Sequence, residues 1–317
     1  AQLRAKVIAE GANLALTQCG RIEYALRGGR LNTDAVDNSA GVDCSDHEVN
    51  IKIMLNAAVR AGKLTIEERN ALLDSIKDDV ADLVLRDNFL QTQIISYMHH
   101  RGAKSIPGNK KFMHVLERED KLNRALEFLP ADSEMDERFT RGMGLTRPEL
   151  CVLMAYAKLT IYDHLLNSDL PDDAVLEKLL LSYFPKTLQE NRKREILTHP
   201  LRREIVGTQI ANNLINRAGV NFITKMRNES SAPVIAILKA YLIVAEAYQT
   251  EGLFLKLEQK DMPADDRLAT MRRIVAEIEN MTLTVLRDGM EGDIATEAKR
   301  WIGYKDDKFK QLRAELA

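Results

Sequence analysis

Three polar side chains near the amino terminus have types and positions expected of ligand contacts. Asn13 closes the segment Glu10-Gly11-Ala12-Asn13, Asn38 follows a second short apolar stretch, and Ser45 comes shortly after it. A carboxamide donates and accepts hydrogen bonds, which suits it to hold another carboxamide, such as that of a nicotinamide ring. A serine hydroxyl at the start of a helix can bind a carboxylate with help from the positive helix end. These three residues are therefore candidate ligand contacts.

Each of these residues also has an ordinary structural explanation. Glycine and asparagine are common turn residues, so Asn13 and Asn38 could simply follow two strands. Ser45 and Glu48 match a capping box, in which the serine covers backbone N–H groups of its own helix. Two asparagines at successive strand ends favour a ligand crevice more than either would alone. For Ser45 the pattern leaves both interpretations equally open.

The elements around these residues predict the end of a parallel α/β layer. The predicted elements are a strand over 6–9, a helix over 21–26, a strand centred on 35–36, a tight loop over 38–42 and a helix from about 45 to 60. In a parallel sheet both strand ends face one ligand crevice, where Asn13 and Asn38 would lie. Two strands do not make a stable sheet alone. This favours the last part of a doubly wound domain whose first strands precede this chain.

The rest of the chain predicts helices only. A capping box at Thr65–Glu68 opens a long helix that reaches about His99, and a second capping box at Thr146–Glu149 opens another helix. Glycines and a proline after the long helix mark a domain boundary, which divides the chain into 1–105 and 106–317. The predicted fold class is mainly α. The first part is the C-terminal end of a Rossmann-like α/β cofactor domain with its long following helix, and the second is an all-helical domain.

Composition and charge exclude several classes of protein. The chain has 45 Lys+Arg against 47 Asp+Glu and a net charge of −2, which argues against a nucleic-acid-binding surface. Three scattered cysteines without a C-x-x-C argue against disulfides and structural zinc and favour a cytoplasmic location. The histidines form no H-E-x-x-H or other metal set. The most apolar segment, 234–248, is too short to span a bilayer and contains Lys239 and Glu246.

The amino-terminal segments resemble the end of the cofactor domain of glutamate dehydrogenases. The family pattern is E-G-A-N, then N-A-G-G-V with a serine and a glutamate at fixed positions beyond the valine. The segments here read V-I-A-E-G-A-N and N-S-A-G-V-D-C-S-D-H-E, with Ser39 and Ala40 in place of the usual Ala and Gly. Further on, Arg147-Pro148-Glu149-Leu150 and His199-Pro200-Leu201-Arg202-Arg203-Glu204 resemble the large bacterial NAD-specific members, whose subunits are far longer. The resemblance covers nearly the whole chain.

This resemblance implies part of an NAD-dependent enzyme that oxidises L-glutamate to 2-oxoglutarate and ammonia. It implies that Gly11, Ala12, Asn13 and Asn38 contact NAD, the two asparagines near its nicotinamide-ribose end. It implies that Ser45 contacts the side-chain carboxylate of the substrate. The family's catalytic lysine and aspartate fall upstream of this chain, so we expect no catalytic residue in it and no glutamate oxidation by the chain alone. The intact enzyme is expected to be a homo-oligomer.

Two other interpretations stay open. The first is a dehydrogenase of another amino acid, because relatives that act on branched-chain or aromatic amino acids tend to have an apolar residue at the position of Ser45. The second is an interaction or regulatory module formed by the helical region from about Lys111. This second role is compatible with the resemblance to glutamate dehydrogenases, since one part of a subunit can bind ligand while another assembles subunits or senses an effector.

Overall fold

The amino-terminal part of the chain holds one β-type contact. The computed structural model describes residues 3–317, and within that range the β pairing is an isolated parallel bridge between Val7 and Arg30. Its hydrogen bonds run from Ile8 N to Arg30 O at 2.9 Å and from Arg30 N to Lys6 O at 3.0 Å. The first predicted strand is therefore reduced to a single bridge, because the described residues supply no further strand to extend the pairing.

Helices make up most of the described chain. The first nine are α1 Gln18–Leu26, α2 Asp34–Asp37, α3 Ser39–Arg60, α4 Ile66–Ser75, α5 Lys77–His100, α6 Ile106–Arg118, α7 Asp132–Thr140, α8 Arg147–Leu166 and α9 Glu177–Ser182. The others are α10 Lys186–Asn191, α11 Lys193–Leu197, α12 Arg202–Ala218, α13 Phe222–Ser230, α14 Val234–Tyr248, α15 Thr250–Gln259, α16 Ala264–Asp288, α17 Ile294–Trp301 and α18 Asp307–Glu315. Short 3₁₀ turns lie at Gly102–Ser105, Leu170–Asp172 and Ala174–Leu176. The predicted mainly helical fold is confirmed.

The second predicted strand is wrong. Residues 35–36 lie in α2, and α3 begins at Ser39 rather than near Ser45. The predicted tight loop of small residues is instead the first turn of α3. Alanine and serine fit a helix at little cost, and one glycine costs about 1 kcal/mol. Asn88 of α5 offsets that cost by donating a hydrogen bond to Ser39 Oγ at 3.0 Å, so packing between helices overrides the turn propensity.

The capping boxes predicted at Thr65 and Thr146 are both confirmed. At the start of α4, Thr65 Oγ1 accepts from Glu68 N at 3.1 Å and the Glu68 carboxylate accepts from Thr65 N at 2.8 Å. Thr146 and Glu149 form the equivalent box at the start of α8. The single helix predicted from Thr65 to about His99 is two helices, α4 and α5, with the buried side chain of Ile76 at the break.

One apolar core runs from Val36 to Leu316. The helix pair α8 and α12 lies at its centre, α5 packs against both and against α3, and α14 packs against α16 and α17. Residues on both sides of the predicted boundary at 105/106 thus share this core, and the division into two domains stays a prediction.

Within the described range no single helix is long and apolar enough to cross a membrane. The pair α13 and α14 reaches that length and composition together, with a bend of 107° between them.

Candidate functional site

The two asparagines singled out in the sequence meet at the protein surface. Asn38 Nδ2 donates a hydrogen bond of 2.7 Å to Asn13 Oδ1. Asn38 directly precedes α3, yet its side chain makes no capping bond to that helix and is directed to Asn13 instead. Gly11 and Ala12, the other two predicted contacts, come directly before Asn13 and are exposed. Each carboxamide keeps further donor or acceptor capacity, so this asparagine pair can still bind an amide or hydroxyl group.

Two carboxylates of α2 fix the loop that carries Asn13. Asp37 Oδ2 accepts from Glu10 N at 3.1 Å, and Asp34 Oδ2 accepts from Leu14 N at 2.8 Å. Leu14 has a φ of 57°, a left-handed conformation that is uncommon for a residue with a Cβ. The hydrogen bond from its N–H helps to hold that conformation. The loop is therefore anchored at both ends, and the side chain of Asn13 projects from an ordered backbone.

A buried ion pair supports the same loop from beneath. Arg21 of α1 donates from Nε to Glu10 Oε2 at 2.6 Å and from Nη2 to Glu10 Oε1 at 2.9 Å, and both side chains are buried. Arg21 also lies 3.0 Å from a carboxylate oxygen of Asp34. The hydrogen bond to Glu10 raises the pKa of the Arg21 guanidinium. Bidentate arginine–carboxylate pairs require a specific geometry, so α1, which carries Arg21, sets the orientation of the loop that begins at Glu10.

Arg147, at the start of α8, connects this loop to the helices that follow it in sequence. Arg147 Nε donates to Asn32 Oδ1 at 2.9 Å, and Asn32 Nδ2 donates to Asp37 Oδ1 at 2.8 Å. Asp37 in turn holds the backbone N–H of Glu10. A second bond, from Arg147 Nη1 to Ser96 Oγ at 2.9 Å, fixes the guanidinium to α5. The Arg147-Pro148-Glu149-Leu150 segment thus contributes a support to the candidate site as well as a helix cap.

Ser45 lies in the second turn of α3 and is exposed. The prediction that it begins a helix is wrong, because α3 starts at Ser39, so the predicted capping box with Glu48 is also wrong. Glu48 forms an ion pair with Lys52 instead. Since the positive potential of a helix end falls off within its first turn, a ligand contact at Ser45 would depend on the hydroxyl itself.

A second group of polar side chains, which the sequence did not reveal, lies between α3, α5 and α8. Asp43 and His47 are one turn apart on α3, Asp87 belongs to α5 and Lys158 to α8; we call these four residues the acid–lysine cluster. One side-chain oxygen or nitrogen each from Asp43, His47 and Asp87 lies within 4.8 Å of the others. Lys158 places a positive charge beside the two carboxylates, which gives the cluster an internal counter-ion.

Burial and mutual repulsion set the protonation of the acid–lysine cluster. Burial, together with the neighbouring charge of Asp87, raises the pKa of Asp43 to about 7. Burial also raises the pKa of Asp87 and lowers the pKa of His47, which is therefore neutral at pH 7. Burial lowers the pKa of Lys158 to about 8, in spite of the two carboxylates that oppose this change. The cluster can consequently gain or lose a proton close to neutral pH.

We expect Asp43→Asn to reduce the loss of stability between pH 5 and pH 8. Folded Asp43 keeps its proton up to a pKa of about 7, whereas the unfolded carboxyl releases it near 3.8. The folded state therefore binds the extra proton in this window, and the free energy of unfolding falls as the pH rises. Above pH 7 both states are ionised and this contribution stays constant.

Urea unfolding at pH 5 and pH 8 measures the effect of Asp43→Asn. The matched control is Asp82→Asn, which changes an exposed aspartate of the helix that carries Asp87. The wild type and the control should lose more stability over this interval than the Asp43 variant. Equal losses in all three proteins would contradict the protonation assigned to the cluster.

Aromatic and amide contacts hold α3 against the later helices. The ring of His47 stacks on Tyr183 with centroids 4.3 Å apart. Tyr183 Oη donates to Asp46 Oδ2 at 2.7 Å and accepts from Asn50 Nδ2 at 2.9 Å. The carbonyl oxygen of Asn50 lies 3.0 Å from His199 Nε2. These contacts fix the helix that carries Ser45 to the region around residues 183–199.

Comparison with known proteins finds matches along most of the chain. Residues 142–317 match the family described as glutamate dehydrogenase, C-terminal, and residues 1–98 match the bacterial NAD-glutamate dehydrogenase catalytic domain. The NAD-specific glutamate dehydrogenase of Pseudomonas aeruginosa is 45% identical over 276 residues, which are 86% of this chain and 17% of that protein. The same-named protein of Halomonas elongata is 39% identical over 320 residues, 99% of this chain and 20% of that protein. The same-named protein of Mycobacterium tuberculosis is 41% identical over 277 residues, which are 86% of this chain and 17% of that protein.

Proposed function

The chain belongs to the glutamate dehydrogenase C-terminal family, and from this premise we propose that it forms part of an NAD-dependent glutamate dehydrogenase. It spans 17–20% of the length of the curated relatives it matches, so the activity is proposed for the longer enzyme that includes it. That enzyme converts L-glutamate to 2-oxoglutarate and ammonia, and bound NAD accepts the hydride. In this proposal the chain contributes ligand contacts, and the catalytic lysine and aspartate of the family belong to other parts of the longer enzyme.

The asparagine pair is the observation that carries this proposal. Asn13 and Asn38 come from two separate segments and are joined by a hydrogen bond at the surface. Gly11 lies beside them in open space, since a Cβ built on it would meet no atom within 4 Å. This arrangement fits a dinucleotide that approaches the backbone closely and presents amide and hydroxyl groups. We therefore place the nicotinamide-ribose end of NAD against Gly11, Ala12, Asn13 and Asn38.

The residues before α3 are proposed to complete a Rossmann-like cofactor domain in the longer enzyme. The bridge between Val7 and Arg30 is parallel, the type of pairing that such sheets use. Val7, Leu14 and Val42 are 64%, 82% and 76% exposed, so these apolar side chains are free to contact further protein in the longer enzyme. A structure of the intact enzyme should place residues 6–9 in a parallel sheet. Finding them unpaired and solvated there would refute this part of the proposal.

Ser45 is proposed to bind the side-chain carboxylate of glutamate. In the intact enzyme, Ser45→Val should lower kcat/KM for glutamate by roughly 10- to 150-fold, because a hydrogen bond to a charged group contributes about 1.5–3 kcal/mol. The same change should leave kcat/KM for leucine unchanged or raise it, since leucine has no side-chain carboxylate.

Steady-state kinetics with both amino acids, and with Ser45→Thr as the matched control, test the role of Ser45. The threonine variant keeps the hydroxyl and should retain most of the preference for glutamate. A parallel fall with glutamate and leucine would indicate a structural role for Ser45. Preference for leucine by the wild-type enzyme would favour a dehydrogenase of another amino acid.

A further inference from the structure

A cavity of about 470 Å³ lies among α6, α8, α12, α13 and the turn before α14. Its floor is formed by apolar side chains that belong to four of these helices: Phe112, Val115, Ala157, Ile161, Ile215 and Ile223. Small-molecule sites in proteins typically enclose about 300–1,000 Å³ and have mostly apolar walls. The cavity therefore has the size and the lining of a site for a small organic molecule.

The mouth of this cavity is positively charged. Lys111 and Arg118 of α6 and Arg227 of α13 lie along it, and all three are exposed. Over the described residues 3–317, none of the three forms an ion pair with a carboxylate; Arg118 Nε donates to the carbonyl oxygen of His114 at 3.2 Å. Glu119 is the one acidic residue among the lining residues, and it lies 3.5 Å from Lys121. With three cations against one carboxylate, the local charge at the mouth is therefore positive.

Polar groups also line the cavity. Thr160 of α8, Thr224 and Asn228 of α13 and Ser231 after α13 contribute hydroxyl and amide groups to the lining. Burial, together with the nearby charges of Lys121 and Arg227, lowers the pKa of His164, another lining residue. Burial is the main cause of this shift, so His164 adds a neutral polar group to the lining, and the positive charge comes from the exposed cations at the mouth.

We propose that this cavity binds a small organic anion with an apolar body. The apolar body lies on the floor formed by α6, α8, α12 and α13, and the anionic group is held by Lys111, Arg118 and Arg227. The cavity is built only from residues 111–234 and includes none of the asparagine pair or Ser45. The inference is therefore independent of the dehydrogenase proposal, and it assigns a second ligand site to the helical region.

The fluorescent probe 8-anilinonaphthalene-1-sulfonate tests this site, because it joins aromatic rings to a single sulfonate. The full 317-residue chain should bind it saturably, with about one site per chain. The double variant Arg118→Gln/Arg227→Gln should bind it about tenfold or more weakly, since charge-assisted contacts to the sulfonate are lost. N-phenyl-1-naphthylamine has the same rings without the sulfonate, and it should bind the wild type and the double variant equally well.

Two further variants separate this site from general probe binding. Arg272→Gln removes an exposed arginine of α16, away from the cavity lining, and should leave the affinity for the sulfonate probe unchanged. Thr160→Phe introduces a ring at the cavity wall and should abolish binding of both probes. Thermal unfolding of every variant reports whether the fold is intact. Unsaturable binding to the wild type, equal affinity in the double variant, or binding that survives Thr160→Phe in a folded chain would overturn the proposal.

Discussion

Replacing Glu149 with alanine should lower the free energy of unfolding by about 3 kcal/mol, because the change leaves the buried guanidinium of Arg138 with only the half-exposed Glu134 as its counter-ion. The side chains of Glu149 and Arg138 are 1% and 7% exposed, and Arg138 Nη1 donates to Glu149 Oε2 at 2.8 Å. The same oxygen accepts bonds of 2.7 Å from Thr146 N and Thr146 Oγ1. The alanine variant therefore loses a buried ion pair and half of the capping box of α8 in one step.

A matched exposed pair isolates the effect of burial in this experiment. Glu137 and Arg141 also form a glutamate–arginine pair, but their side chains are 67% and 64% exposed. Glu137→Ala should change the unfolding free energy in urea by less than about 0.5 kcal/mol. The double variant Arg138→Met/Glu149→Leu removes both charges and should be more stable than Glu149→Ala. Similar losses for Glu149→Ala and Glu137→Ala would show that burial of the pair has no special effect.

Replacing Leu153 with alanine should lower the free energy of unfolding by about 2–5 kcal/mol, because apolar burial is lost and a cavity is left behind. Leu153 is fully buried on α8, the helix that packs against both α5 and α12 at the centre of the core. Little of that space can be refilled, because the neighbouring side chains belong to helices fixed by further contacts of their own.

Leu159 provides the control for this truncation within the same helix. Its side chain is 61% exposed, so Leu159→Ala should change the unfolding free energy by less than about 0.5 kcal/mol. Both substitutions leave helix propensity nearly unchanged, since alanine and leucine are both strong helix formers. If the two variants unfold at the same urea concentration, α8 is not the central helix of the core.

At Thr65 and Thr146 the sequence signals succeeded because the interacting residues are close in the chain, whereas the box at Ser45 failed because the start of α3 was placed six residues too late. The capping boxes at Thr65 and Thr146 depend on a partner three residues away, so their geometry is written in the local sequence. The second predicted strand, centred on 35–36, is instead α2, where the backbone carbonyl of Val36 accepts a hydrogen bond of 2.9 Å from Asn88 Nδ2 of the later helix α5. Local sequence propensity carries no information about such a distant contact, and the turn-forming residues at 38–42 wrongly predicted a loop.

The candidate site shows the same division between local and distant information. Asn13 and Asn38 were found from two short motifs, and their roles in binding stay a prediction. Asp43 and His47 carry a visible spacing of one helical turn, but their neighbours Asp87 and Lys158 come from two other helices. Arg147 was recognised as part of a helix start, whereas its bond to Asn32 depends on how α8 packs against the amino-terminal part of the chain.

The hydrogen bond between Asn13 and Asn38 has a thermodynamic consequence for ligand binding. It fixes two carboxamides in single rotamers before any ligand arrives, so their side-chain entropy is already lost in the free protein. Ordering a flexible side chain at an interface typically costs about 0.5–1.5 kcal/mol. A ligand that uses the remaining donors and acceptors of the pair avoids that cost, whereas one that must insert between the two amides has to replace their mutual bond. The pair therefore favours ligands that bind across it.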